Sequence, residues 1–175
     1  FPSTALEWVA SGAAGIVAIS EAVRDAVVER VPEAAERIEV IYNGIDPEQF
    51  QPKKPRETVR GALGVADDAI IFGNVGQLIP WKRQDLFLHA AGLIHRELPQ
   101  AHFLLVGADL FGEHPEYVEQ LHALAEELGI HDCTTWAGYR DDVADLLGAM
   151  DVMVHTADRE PLGRVVQGVH PFDQR

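Results

Sequence analysis

The chain has 175 residues, 47% of them hydrophobic, with a formal net charge of -14. That length supplies one full domain, or one plus part of another, and the acidity argues against a sequence-independent grip on nucleic acid, which needs a basic face. No apolar run approaches the roughly 20 residues that cross a bilayer, and the single cysteine, Cys133, excludes an internal disulfide framework and fits a reducing compartment.

In chain order, Ser3 reads as the cap of a short helix to about Ser11, and Ile16-Val17-Ala18-Ile19 as a buried-type strand. Ser20 reads as an N-cap with Glu21 in the first turn, and Val23, Ala26 and Val27 follow at helical spacing until Pro32. Ile38–Tyr42 is the next strand. Pro47, Pro52, Lys53, Lys54 and Pro55 mark a stiff polar connector and a candidate domain boundary. A short helix near Glu57–Leu63 ends at Gly64, and the strand Ala69–Val75 follows.

The next stretch, Val75-Gly76-Gln77-Leu78-Ile79-Pro80-Trp81-Lys82-Arg83, reads as a strand, a turn and a helix opening at about Trp81. Such units bind phosphates in α/β proteins. Lys82 and Arg83 then fall in a first helical turn, where the dipole disfavours cations. An anion gripped by Lys82 and the amides near Gly76 relieves that cost; an ordinary solvated lysine is the plain alternative.

The helix from Trp81 to about Leu98 places Leu86, Ala90, Leu93 and Ile94 on one face. Strand Ala101–Val106 ends in Gly107, a loop runs to His114, and a helix spans Pro115–Leu128 with the stripe Val118, Leu121, Ala125 and Leu128. Cys133–Ala137 is a strand, with the thiol buried and inert in it. Asp141 reads as the cap of a helix carrying Val143, Leu146 and Leu147, and Asp151–Val154 as the last strand before a new helix near Gly163. Regular alternation from Ile70 onward predicts a doubly wound parallel α/β sheet, with ligands beyond the carboxyl ends of its strands.

Two further features carry chemistry. Glu160 stands before Leu162-Gly163 at a predicted helix start. It suits either sugar hydroxyls or simply the helix dipole, and the amides at Leu162 and Gly163 suit a sugar or phosphate oxygen. The eight histidines form no helical i, i+4 pair, and His131 with Cys133 has no partner pair nearby, so no metal site is expected. No strand is followed by the G-x-G-x-x-G of a nicotinamide dehydrogenase.

Six motifs stand in the order and spacing of one family: Tyr42-Asn43-Gly44-Ile45-Asp46 with Phe50, Val75-Gly76-Gln77-Leu78 with Lys82, Leu105-Val106-Gly107, Gly138-Tyr139-Arg140-Asp141, Asp151–Val154, and Glu160-Pro161-Leu162-Gly163-Arg164-Val165-Val166. Over roughly residues 15–166 the chain resembles the donor-binding half of retaining, nucleotide-sugar glycosyltransferases of the GT-B fold, family 4, also called glycosyl transferases group 1.

The resemblance implies that residues 1–45 are the end of an N-terminal acceptor domain, 46–56 a hinge or linker, and 57–175 a Rossmann-like nucleotide-sugar-binding domain truncated at its C-terminus. It implies transfer of a sugar from a nucleoside diphosphate to a carbohydrate or lipid acceptor. Lys82 and Glu160 are the implied catalytic residues, and Gly76, Gln77, Lys82, Gly107, Tyr139, Arg140, Leu162 and Gly163 the implied donor contacts. No metal or other cofactor is implied, no nucleic-acid partner, and membrane contact only through segments outside the chain. The expected location is the cytoplasm, with the inner membrane face open to the full-length protein. The isolated chain is expected to be inactive, and an exposed sheet edge invites self-association.

Two departures stand out. Gln77 occupies a position where members often carry arginine, and Gly168 one where they carry a second glutamate. Both suit the rival expectation, a degenerate, non-catalytic binding or scaffold module.

Overall fold

The computed structural model describes residues 10, 12–44, 46, 48 and 50–158. They fall into two compact units, with described parts within residues 10–44 and 46–158. The helix read from Ser3 and the one read near Gly163 lie wholly or largely outside the described residues.

In the first unit, β1 (Ile16–Ala18) leads through α1 (Glu21–Arg30) and a 3-10 turn (Pro32–Arg37) to β2 (Ile38–Val40). The strands pair in parallel, Ile16 opposite Ile38 and Ala18 opposite Val40. Ser20 caps α1 as its sequence position predicts: its hydroxyl accepts from the Val23 amide at 3.2 Å. The core is small, with Val31, Ala34 and Ala10 packed against Ile16 and Ile38. Val23 and Val27 are only half-buried and Ala26 is exposed.

The second unit holds α2 (Arg56–Ala62), β3 (Ile70–Val75), a 3-10 turn (Pro80–Lys82), α3 (Gln84–Glu97), β4 (Ala101–Val106), α4 (Pro115–Glu127), β5 (Thr134–Gly138), α5 (Val143–Ala149) and β6 (Val152–Met153). Its strands form one parallel sheet in the order β5-β4-β3-β6. Alternate residues serve opposite faces. Ile71, Val75, Leu104 and Val106 join Val59 of α2 and Leu146 and Leu147 of α5. Phe103 and Leu105 join Phe87, Leu88 and Ala91 of α3 and Leu121 and Ala125 of α4. A parallel sheet covered by helices on both faces is the expected α/β architecture, Rossmann-like and doubly wound.

Several details depart from expectation. Residues 80–82 form a 3-10 turn, Arg83 turns left-handed at φ 55, and α3 begins only at Gln84 with Asp85 in its first turn. Lys82 and Arg83 therefore precede the helix, and the argument that its dipole opposes them falls. The shifted start accompanies a different buried face. Phe87, Leu88, Ala91 and Gly92 are buried, whereas Leu86 and Leu93 are 47% and 63% exposed. Cys133 lies in a 3-10 turn rather than in β5 and is half-buried; burial still pushes its thiol pKa up, which keeps it protonated. The cap position of α5 is Asp142, not Asp141, and its carboxylate turns to Arg140 instead of the helix amides.

The connector, read as stiff, is fastened to the second unit at residues 52–54. Asp145, 5% exposed, accepts the Lys53 amide at 2.5 Å and the Lys54 amide at 3.1 Å. Pro52 lies so close to Gly148 that a Cβ there would stand 2.7 Å from its Cγ. Burial alone would raise the pKa of Asp145; the two amides and the Lys54 ammonium outweigh it and hold the carboxyl below its ordinary value.

At the amino end of β3 and β6, Arg60 is 4% exposed and donates to the carbonyls of Ala149, Asp67 and Ala69 and to Asp151 Oδ2. Asp151 also accepts the Ile71 amide at 2.8 Å and pairs with Arg56. These bonds fasten α2 to the start of both strands.

Candidate functional site at the carboxyl edge of the sheet

The chain runs from β3 to β4 to β5 on one side of β3 and returns as β6 on the other. Loops leaving neighbouring strands in opposite directions open a crevice at their carboxyl ends, where ligands of such sheets bind. The turn after β3 and the loop after β6 flank that point.

The rim is built backbone against backbone. The Gly76 amide donates to Val106 O at 2.9 Å, the Leu78 amide to Ala108 O at 3.1 Å, and the Gly107 amide to Gly138 O at 2.8 Å. Gly107 has φ 143, and a Cβ there would stand 1.8 Å from Gly76 O. Only glycine fits this approach. A Cβ at Gly76 would meet Lys82 Cδ at 3.8 Å and Cε at 3.9 Å, ordinary contact distances. The lysine methylenes thus lie across Gly76. The Gly76 amide itself is committed to Val106 O, so an anion near this turn would have to meet the Lys82 ammonium and other amides.

Lys82 Nζ stands 4.5 Å from the centroid of the Trp81 ring, a cation–π distance. The turn beneath it is held by a buried polar network. Gln84, fully buried, donates to Gln77 O at 2.9 Å and accepts from the Tyr117 hydroxyl at 3.3 Å. Arg83 pairs with Asp85 at 3.0 Å and with Asp158 at 3.3 Å. Burial alone would raise the pKa of Asp85, but the Arg83 guanidinium prevails and holds the carboxyl below its ordinary range. Across the crevice, Asn74 donates to Val154 O at 2.9 Å and Thr156 Oγ1 at 3.3 Å, Thr156 donates to Lys82 O at 2.9 Å, and the Asp158 amide donates to Trp81 O at 3.1 Å.

At the third strand end, Tyr139 is 64% exposed. Arg140 grips Asp142 with two hydrogen bonds of 2.7 Å, and this pairing pulls the Asp142 carboxyl far below the ordinary carboxylate range. Gly76, Gln77, Lys82 and Gly107 therefore meet at one edge, with Tyr139 and Arg140 on the next strand end. Glu160, Leu162 and Gly163 lie outside the described residues. The sequence reading missed Gln84, Tyr117, Asn74 and Thr156. A cue for Asn74 was available: it is a carboxamide inside the otherwise apolar run Ile70–Val75.

The pattern of the family described as glycosyl transferases group 1 matches residues 55–167, and that of glycosyltransferase family 4 matches residues 1–49. YtcC of Bacillus subtilis is 31% identical over 159 residues, 86% of this chain and 39% of its own length. A D-inositol 3-phosphate glycosyltransferase of Saccharomonospora viridis is 30% identical over 164 residues, 91% of this chain and 38% of its own length. The crystal structure of the Anabaena protein HepE in complex with UDP-glucose superposes with TM-score 0.84 at 32% identity, over 97% of this chain and 46% of that one. The chain spans less than half the length of each of these relatives. With the first pattern covering well over half of its residues, the chain belongs to the glycosyl transferases group 1 family.

Proposed function

We propose that the chain is the donor-binding part of a glycosyltransferase that moves a sugar from a nucleoside diphosphate sugar to a carbohydrate or lipid acceptor with retention. The carrying observation is the placement of Lys82, laid across Gly76 beside the topological switch point. As the bond from the sugar to the diphosphate breaks, negative charge grows on the leaving group. A fixed ammonium there stabilises the transition state more than the ground state and needs no metal or other cofactor. Tyr139, exposed at the end of β5, suits a nucleobase face. Glu160 takes the transferred sugar, with the Leu162 and Gly163 amides on sugar or phosphate oxygens, and Gly107 lets the rim close against Gly76 O. Gln77 serves as a neutral donor, and Arg140 acts from its pairing with Asp142.

HepE, crystallised with UDP-glucose, supports the donor class, and family membership favours a transferase over a non-catalytic module. Retention, the acceptor class, and a site of action in the cytoplasm or at the inner membrane face are carried over from the family. So is the division into acceptor-domain residues 1–45, hinge 46–56 and donor domain 57–175. Because the chain spans less than half of its relatives, it is expected to bind donor without turning it over.

Calorimetric titration with UDP, GDP and ADP tests the reading. One of the three should bind, and Lys82→Ala should weaken it by about 10- to 100-fold, the worth of a charge-assisted hydrogen bond. Binding by none of them, or a K82A variant that binds as tightly as the parent, would overturn it.

A further inference from the structure

The loop after β6 is tied to the turn before α3 through one hydroxyl. Asn74, 4% exposed on β3, donates its side-chain N–H to Thr156 Oγ1 at 3.3 Å as well as to Val154 O. A hydroxyl oxygen that accepts there has its own proton to place elsewhere, and it donates to the Lys82 carbonyl at 2.9 Å. Two residues on, the Asp158 amide donates to Trp81 O at 3.1 Å. The relay runs from a buried carboxamide, anchored in the strand, to the backbone of the residue whose side chain crosses Gly76. A buried amide group is costly to leave unmatched, so this arrangement is strongly specified. Exposed loop ends need no such anchor when water is at hand.

We infer that Thr156 is a positioning residue of the donor site, holding the Lys82 backbone at the height from which its ammonium meets the donor diphosphate; the inference rests on the donor reading above. Asn74 fixes the hydroxyl, the hydroxyl fixes the carbonyl, and the carbonyl's position sets the Cα from which the lysine extends. Thr156 acts through Lys82 and not on the ligand. Its effect should therefore vanish when the ammonium is gone, which a general loosening of the loop would not do.

The test is a double-mutant cycle by calorimetry, using whichever of UDP, GDP and ADP binds the parent most tightly. Thr156→Val keeps the shape and removes the hydroxyl. It should weaken binding by about three- to tenfold, the range of one net hydrogen bond. Thr156→Ser should restore it, and T156V should add nothing in a K82A background. Should valine not be accommodated in a thermal melt, Thr156→Ala replaces it in the same cycle. Parent-like binding by T156V, or an equal loss in the K82A background, overturns the inference alone. Absence of binding by the parent, or indifference to K82A, overturns the donor reading and this inference with it.

Discussion

The two ends of the β3–β6 strand pair are fastened by different chemistry. At the amino end, Arg60 and Arg56 converge on Asp151, and Arg60 meets three carbonyls besides. There the charges are spent on one another and on the backbone. At the carboxyl end the ties across the pair are mostly neutral: a carboxamide, a hydroxyl and an amide, with one exposed Arg83–Asp158 pair beside them. Lys82 is held there by its backbone while its ammonium lies against an indole face at the rim. Saturated charge makes a lock. Neutral ties at the other end fix the Lys82 main chain and so place its side chain at the rim.

The largest expected effect comes from breaking the lock. Arg60→Ala removes the donor shared by three carbonyls and leaves Asp151 short of a partner. It should cost about 2–4 kcal/mol in urea unfolding, less than a fully enclosed pair because Asp151 is partly exposed. Donor affinity of the folded fraction should stay at the parent value. A matching fall in affinity would show that the two ends are not separate devices.

Gly107→Ala attacks the other end. Its Cβ would collide with Gly76 O, so the rim must part, with about 1–3 kcal/mol of strain. A thermal melt should show this smaller loss of stability, and calorimetry a loss of nucleoside diphosphate binding that Arg60→Ala does not cause. Binding that survives in G107A would detach the rim from the site.

The smallest effect is a pH dependence. Burial alone would raise the pKa of Asp151, but the Ile71 amide and the two guanidiniums lower it below the ordinary value. Its folded value then lies below an unfolded value of about 3.9. The stability it contributes is present above that pH and is lost as pH falls through the folded value. Urea midpoints measured from pH 5 downward should decline, and Asp151→Asn should flatten part of that decline. The remaining slope belongs to groups such as Asp145, likewise depressed. A D151N profile parallel to the parent would remove Asp151 from the lock.

The sequence carried the architecture well because parallel strands covered on both faces are near-continuous apolar runs. Ile70–Val75 and Ala101–Val106 could hardly be anything else. Helix caps were legible where the local chemistry is self-contained, as at Ser20. The buried face of α3 was not, since Leu86, Phe87, Leu88 and Leu93 supply apolar residues on more than one side. The left-handed Arg83 then decides where the helix begins. The role of Asp145 was hidden because an acid in a short helix looks solvated until residues 91 and 92 positions away offer their amides. The bond from Asn74 to Thr156 spans 82 residues, a pairing no local spacing encodes. Gly76, Lys82 and Gly107 were read from motif, and the geometry separates them: a Cβ is excluded at 107 and admissible at 76.

The indole under the Lys82 ammonium has an optical consequence. Trp81 is a chromophore within 4.5 Å of a charge, with 43% of its surface open to solvent. An anion that draws the charge aside changes the field at the ring, so the emission wavelength of Trp81 should report occupancy of the rim without any added dye.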